Sequence, residues 1–115
     1  MSVLKIYHNP RCGKSRETLK LIEASGQDVN VVEYLKSPIS ENEFRDILAK
    51  LNLPLEYLIR KNEAIFKEQY KGKEFSDDQW IKILLENPKL IERPIVVKGN
   101  KAIIGRPPEN VNQLL

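Results

Sequence analysis

The chain has 115 residues, of which 41% are hydrophobic and 30% are charged, and its 19 basic and 16 acidic residues leave a formal net charge of +3. This composition argues against disorder and predicts a single domain over residues 1–115 that buries a core without disulfides or structural metals. Because charges of both signs are interleaved, we expect no nucleic-acid partner. The first residues contain neither a leader pattern nor a long apolar run, so we expect no membrane association and a cytoplasmic location.

The first third of the chain predicts a βαβ unit. Residues 4–8 alternate apolar and polar side chains before an Asn-Pro pair, which favours a short strand. Residues 15–24 have helical periodicity and stop before Ser25 and Gly26, and residues 29–34 are again strand-like. The turn between the first strand and the helix therefore contains Cys12.

The middle of the chain is predicted to be helical. Residues 40–43 read Ser-Glu-Asn-Glu, a capping box that begins a helix extending to Leu51. Pro54 opens a short helix that ends near residues 60–62, and residues 64–70 form another helical stretch. Residues 76–79 cap a further helix, which ends where Asn87 meets proline.

The C-terminal part predicts a hairpin followed by helical turns. Strands over 94–98 and 101–104 flank a Gly-Asn pair, and residues 105–108 break the sheet. Residues 109–115 form a helical turn or two that packs Val111, Leu114 and Leu115. The element order predicts an α/β fold with a mixed sheet of about four strands, in which a helical block separates the βαβ unit from a ββα unit.

Cys12 is the only cysteine and His8 is the only histidine. An internal disulfide and a His/Cys metal cluster are excluded, so redox chemistry would need a second thiol from another molecule. A lone cysteine is often a small buried hydrophobe, but Arg11 and Lys14 flank this one, with Arg16 nearby. Their charge and the free N–H groups of a helix start favour the thiolate. We therefore predict a reactive thiolate at Cys12.

Four segments, in this order, resemble the signature segments of the glutaredoxin-coupled arsenate reductase family, which has a thioredoxin-like fold. They are NPRCGKSR at 9–16, LIRKN at 58–62, ERPIVV at 92–97 and GRP at 105–107. The resemblance covers essentially the whole chain. Lys14 stands where arsenic-resistance members tend to carry threonine, and those members are longer, so the chain is similar to a short, housekeeping-type member.

The resemblance implies that Cys12 is catalytic and that Arg60, Arg93 and Arg106 bind the oxyanion. Arginine suits a tetrahedral oxyanion because its planar fork gives paired donors and keeps its charge. Taken without the resemblance, Arg60 and Arg93 have an alternative as surface residues at helix ends, where a cation favours the carbonyl dipoles.

Three further residues are supporting candidates. A protonated His8 would lower the pKa of Cys12, although a strand-end residue with no role is an equal alternative. Ser15, at CxxS spacing, donates a hydrogen bond to the sulfur or caps the helix, and the cap is favoured. Pro94 resembles the cis-proline beside the active cysteine of thioredoxin-like folds.

The resemblance implies an arsenate reductase that binds no cofactor or metal and uses glutathione as co-substrate. Cys12 would attack arsenate or a related oxyanion to form an adduct, glutathione would form a mixed species, and glutaredoxin would resolve it with release of arsenite. Phosphatase-like arsenate reductases differ, since they place an arginine where this chain has Thr18.

Two alternatives stay open. A glutathione-dependent thiol transferase of the same fold would leave the three arginines unexplained. An RNA-polymerase-binding redox regulator typically carries a second cysteine at the position of Ser15.

Overall fold

The computed structural model describes residues 3–115, whose strands form one mixed sheet in the order β2-β1-β3-β4. Strand β1 (Leu4–Tyr7) is parallel to β2 (Val29–Val32) and antiparallel to β3 (Ile95–Lys98). Strand β3 also pairs antiparallel with β4 (Lys101–Ile104). The predicted α/β fold with a mixed four-stranded sheet is confirmed.

Helices connect and cover these strands. The α-helices are α1 (Gly13–Ala24), α2 (Glu41–Leu51), α3 (Ala64–Gln69) and α4 (Asp77–Glu86). Short 3-10 helices span Leu55–Leu58, Pro88–Leu90 and Pro108–Leu114. No helix within residues 3–115 has the length and apolar character needed to cross a membrane.

Hydrophobic side chains cover both faces of the sheet. Because side chains alternate along a strand, β1 sends Leu4 and Ile6 to one face and Tyr7 to the other. The first face packs against α1 and the last 3-10 helix, where Ile22 and Val111 are buried. The second face packs under the helices that follow β2. Burial on both sides fixes the end of β1, and therefore the turn that carries Cys12.

Serine side chains begin two of the helices. Ser40 and Ser76 each accept a hydrogen bond from the backbone N–H three residues later, on Glu43 and Gln79. At Ser76 the Gln79 side chain returns the contact and completes a capping box. At Ser40 the predicted box is only half formed, because the Glu43 carboxylate instead accepts a hydrogen bond from the Tyr7 hydroxyl.

Several element ends differ from the predictions. Strand β2 stops two residues early, which places Tyr34 in a turn, and α1 begins at Gly13 instead of Ser15. The prediction that Leu115 packs is wrong, since its side chain is 37% exposed. The last segment is a 3-10 helix, so every third residue shares a face. Positions 108, 111 and 114 are buried together, and Leu115 turns outward.

Candidate active site

The turn between β1 and α1 places Cys12 at the N-cap of α1. The Asn9 side chain accepts the Arg11 backbone N–H at 3.1 Å, and the Cys12 N–H donates to the Asn9 carbonyl at 3.0 Å. Asparagine suits this position because its side chain can close a turn with the backbone two residues on. The Cys12 carbonyl then accepts the first helical bond from Arg16 at 3.0 Å. The partly buried sulfur therefore lies at the amide end of a helix.

Ser15 and His8 form a buried pair beneath this turn. Ser15 Oγ lies 2.6 Å from His8 Nδ1 and accepts the Asn9 backbone N–H at 3.1 Å. The predicted cap at Ser15 is wrong, because Cys12 occupies the N-cap and the Ser15 hydroxyl bonds to groups under the turn. It is the backbone N–H of Ser15 that stabilises the sulfur.

The burial of His8 opposes a charged imidazole. The side chain is 6% exposed, and this burial lowers its pKa below the ordinary value. The Glu33 carboxylate partly offsets the effect, whereas the Arg16 guanidinium adds to it. The structure thus favours a neutral His8 held by Ser15 over the protonated form in the prediction.

The pKa of Cys12 lies below the ordinary cysteine value. Burial is the largest influence and raises it, but the backbone N–H groups of Ser15 and Lys14 and the side chains of Arg93 and Arg106 together outweigh burial. The Arg106 contact is direct, with Nη2 at 3.3 Å from Sγ. These groups favour the nucleophilic thiolate.

Contrary to the prediction from the sequence, the cations that are close to Cys12 in the chain do not act on its sulfur. Arg16 Nη1 donates to the Pro10 carbonyl at 3.0 Å, and Lys14 Nζ lies 3.9 Å from the Glu17 carboxylate. These side chains are exposed, and water screens their charge. The guanidinium groups that act on the sulfur come from distant parts of the chain.

Two loops meet across a short bridge and bring Arg60 to the site. Ile59 and Ile91 form an isolated antiparallel bridge. The next residues donate backbone N–H bonds across it, Arg60 to the Leu90 carbonyl at 2.8 Å and Glu92 to the Leu58 carbonyl at 2.7 Å. Their side chains are therefore neighbours, and Arg60 Nη1 donates to Glu92 Oε1 at 3.0 Å.

Arg106 joins this pair from the end of β4. Its Nε donates to the Arg93 carbonyl at 2.7 Å and lies 2.8 Å from Glu92 Oε1. These contacts at Nε direct the other end of the guanidinium, with Nη2, toward the Cys12 sulfur. The three predicted arginines and the cysteine form one cluster, which we call the arginine cluster.

Gly105 lets the segment before Arg106 pack closely on α1. A Cβ at this position would lie 2.6 Å from Thr18 Oγ1 and 2.8 Å from Pro94 Cγ, closer than real contacts allow. Thr18 is fully buried here, and its hydroxyl donates to a carbonyl of the preceding helical turn. The peptide bond between Arg93 and Pro94 is cis.

Two residues outside the predicted set complete the cluster. Glu92 contacts both Arg60 and Arg106. In the sequence it directly precedes the candidate residue Arg93, and this adjacency could have identified it as a site residue. Tyr34 is 2% exposed; burial raises the pKa of its hydroxyl, and the nearby charges of Arg93 and Arg60 oppose that rise. The sequence does not identify Tyr34 as a site residue, because a tyrosine at the end of a strand-like run is equally typical of the hydrophobic core.

Donors without partners are concentrated in this cluster. Among residues 3–115, three buried side-chain polar atoms have no hydrogen-bond partner: Tyr34 Oη, Arg60 Nε and Arg93 Nε. Arg60 Nε lies 3.4 Å from the Glu63 carboxylate, but without hydrogen-bond geometry. Buried polar groups are normally paired, and an unmade bond costs about 1–3 kcal/mol. The arrangement is suited to an acceptor with several oxygens.

Comparison with known proteins identifies the family. A family model described as the ArsC family matches residues 7–114. The chain belongs to the ArsC family. It is 42% identical to an arsenate reductase of Haemophilus influenzae, with both chains covered completely, and 45% identical to the Escherichia coli K12 protein YfgD, over 97% of this chain and 96% of that protein. A solved arsenate reductase from Vibrio cholerae has a TM-score of 0.94 and 42% identity, over 99% of this chain and 98% of that one. The predicted family and its thioredoxin-like fold are confirmed.

The arginine cluster of this ArsC-family chain opens into a cavity of about 490 Å³. Arg60, Lys61, Glu92 and Arg106 contribute to its walls. Cys12 and Arg93 do not line this cavity, and Arg93 instead lines a neighbouring one of about 510 Å³ together with His8 and Arg11. A larger cavity of about 900 Å³ lies beside the aromatic side chains of α3 and α4, and none of the three arginines of the cluster lines it.

Proposed function

We propose that this chain reduces arsenate to arsenite through a covalent adduct on Cys12. The observation that carries the proposal is the contact between the Cys12 sulfur and Arg106, inside a cluster that holds two further arginines and unpaired donors. The similarity to proteins named arsenate reductases supports arsenate as the oxyanion.

In the first step the Cys12 thiolate attacks arsenic. A sulfur–arsenic bond forms, and one arsenate oxygen leaves as water after taking up protons. Two anions must meet in this step, so the surrounding cations lower its barrier by screening their repulsion. Arg93 and Arg106 are suited to this because they already stabilise negative charge on the sulfur.

In the second step arsenic gains two electrons. The thiol of glutathione forms a bond to the Cys12 sulfur, and the sulfur–arsenic bond breaks with its electron pair on arsenic. Arsenic passes from the +5 to the +3 state and leaves as arsenite, while Cys12 and glutathione become a mixed disulfide. Because Cys12 is the only cysteine, its release needs an outside thiol, and glutaredoxin is the proposed donor.

The cavity beside the arginine cluster supports a peptide co-substrate. Its volume of about 490 Å³ exceeds what a tetrahedral oxyanion needs, and Lys61 lies on its wall with Arg60. These cations suit the carboxylates of a peptide thiol. A glutathione-coupled reaction in the cytoplasm is the setting we propose.

The test is turnover in a reaction containing glutathione, glutaredoxin, glutathione reductase and NADPH. We expect NADPH oxidation with arsenate but not with phosphate, and complete loss in Cys12→Ser with an unchanged thermal unfolding curve. Turnover by the serine variant, or indifference of the intact protein to arsenate combined with rapid glutathionylation, would point to a thiol transferase instead.

A further inference from the structure

Glu92 places a carboxylate at the centre of the arginine cluster. Its Oε1 accepts from Arg60 Nη1 at 3.0 Å and lies 2.8 Å from Arg106 Nε. The side chain is only 22% exposed, so these contacts are shielded from water. This arrangement is unexpected, because an anion site gains affinity from arginines that have no carboxylate partner.

The charges around the cluster are close to balance before a ligand arrives. Arg93 and Arg106 act on the Cys12 thiolate, Arg60 and Arg106 contact the Glu92 carboxylate, and Arg60 also lies by the Glu63 carboxylate. Three positive groups therefore meet three negative ones. A doubly charged oxyanion therefore adds more negative charge than the cluster can neutralise. A singly charged oxyanion of the same shape adds half as much.

The role of Glu92 extends beyond holding the arginines in place. Arg106 Nε is also fixed by the Arg93 carbonyl at 2.7 Å. The backbone of Arg60 is held by the Leu90 carbonyl at 2.8 Å. The Arg60 side chain also keeps the Glu63 carboxylate, 3.4 Å from its Nε, so both guanidinium groups retain a contact when the charge of Glu92 is removed. The larger consequence of that change is therefore electrostatic.

We propose that Glu92 is a specificity-determining residue whose carboxylate competes with the oxyanion for Arg60 and Arg106. The competition biases the site toward singly charged tetrahedral oxyanions over doubly charged ones. This inference rests on the oxyanion site of the proposed function, and it concerns which charge state that site accepts.

The test compares sulfate and perchlorate, which share a tetrahedral shape and differ in charge. A bound anion should protect Cys12 from alkylation by iodoacetamide. The alkylation rate, measured against anion concentration at constant ionic strength, gives the affinity of each anion. Because the Coulomb energy scales with the product of the charges, we expect Glu92→Gln to tighten sulfate binding about tenfold and perchlorate binding about threefold. Glutamine retains an acceptor oxygen for both arginines, so the change is one of charge.

Glu56→Gln is the matched control. Glu56 lines the same cavity but pairs with Lys61 on the surface, so its removal should leave both affinities within about twofold. Thermal unfolding verifies that both variants are folded. Weaker sulfate binding by Glu92→Gln, equal tightening of both anions, or no protection of the intact protein by either anion overturns the inference.

The outcome is separable from that of the proposed function. If arsenate is not turned over while the sulfate and perchlorate effects appear as expected, the activity is wrong and the role of Glu92 stands. If arsenate is turned over and Glu92→Gln has no effect on sulfate, the role of Glu92 fails alone.

Discussion

Arg106 donates a hydrogen bond to the sulfur of Cys12, 94 positions away in the chain, at 3.3 Å. The same guanidinium is fixed through Nε by the Arg93 carbonyl and the Glu92 carboxylate, so its planar fork is anchored on one side and directed at the sulfur on the other. A lysine could supply the charge but not both contacts in a fixed plane. The geometry makes Arg106 the link between the reactive sulfur and the rest of the cluster.

We expect Arg106→Ala to raise the pKa of Cys12, because an opposite charge in direct contact with the sulfur is lost. The pH dependence of iodoacetamide alkylation measures this change. Since the thiolate is the species that reacts, the midpoint of the curve should move to higher pH, and the rate below the midpoint should fall.

Arg11→Ala is the control for Arg106→Ala. Arg11 precedes Cys12 in the chain but is exposed, and water screens its charge. Its removal should leave the alkylation midpoint close to that of the original protein. Equal displacement in both variants would show that general positive charge, and not the Arg106 contact, stabilises the thiolate.

The fold followed from local signals. Alternating strands, helical periodicity, the serine at position 76 and the Gly-Asn turn act over a few residues each, and the structure contains the elements they predict. Errors occur where tertiary packing decides a local choice. The Glu43 carboxylate accepts a hydrogen bond from the Tyr7 hydroxyl and therefore does not complete the predicted capping box. The last segment forms a 3-10 helix, so Leu115 faces the solvent.

The residues that form the candidate site were predictable from the sequence, but their contacts were not. The family resemblance identified Cys12 and the three arginines, which the fold brings together. Sequence spacing could not show that the Ser15 hydroxyl bonds to His8, or that Glu92 lies between two arginines, because these contacts depend on a turn and a bridge between distant segments. Neighbouring charges in the sequence were a poor guide to the charges that reach the sulfur.

Arg93→Lys separates charge from geometry at the second arginine of the cluster. Lysine keeps a positive charge near Cys12, so the pKa of the thiol should stay below its ordinary value. It cannot offer paired donors, so protection of Cys12 by sulfate should weaken about tenfold. Alkylation with and without sulfate measures both quantities. A large rise in the Cys12 pKa with unchanged sulfate affinity would assign Arg93 to the sulfur alone.

Gly105→Ala tests whether close packing behind Arg106 positions its side chain. The new methyl group would overlap Thr18 and Pro94, neither of which can move easily in the core. We expect the free energy of unfolding to fall by about 1–3 kcal/mol and the alkylation midpoint of Cys12 to move to higher pH as Arg106 is displaced. Denaturant titration and alkylation measure the two effects.

Gly13→Ala is the steric control for that substitution. The nearest atom to a Cβ there is the end of the Arg16 side chain at 3.8 Å, an ordinary contact. Its stability should therefore stay within about 0.5 kcal/mol of the original protein. A Gly105→Ala protein with unchanged stability and unchanged alkylation would show that the segment has more freedom than its contacts indicate.

Tyr34→Phe separates stability from ligand binding at the buried hydroxyl. Tyr34 Oη has no partner and lies by Arg93, whose Nε is also unpaired, so both groups are available to donate to a bound oxyanion. Removing an unpaired buried hydroxyl should leave the free energy of unfolding unchanged or raise it by up to about 1 kcal/mol. Sulfate protection of Cys12 should nevertheless weaken about threefold or more.

Tyr57→Phe is the control, since this side chain is 63% exposed and its change should alter neither quantity. A Tyr34→Phe protein that loses stability but keeps its sulfate affinity would assign the hydroxyl to the core, because a group that serves only the ligand has no bond to lose when the ligand is absent.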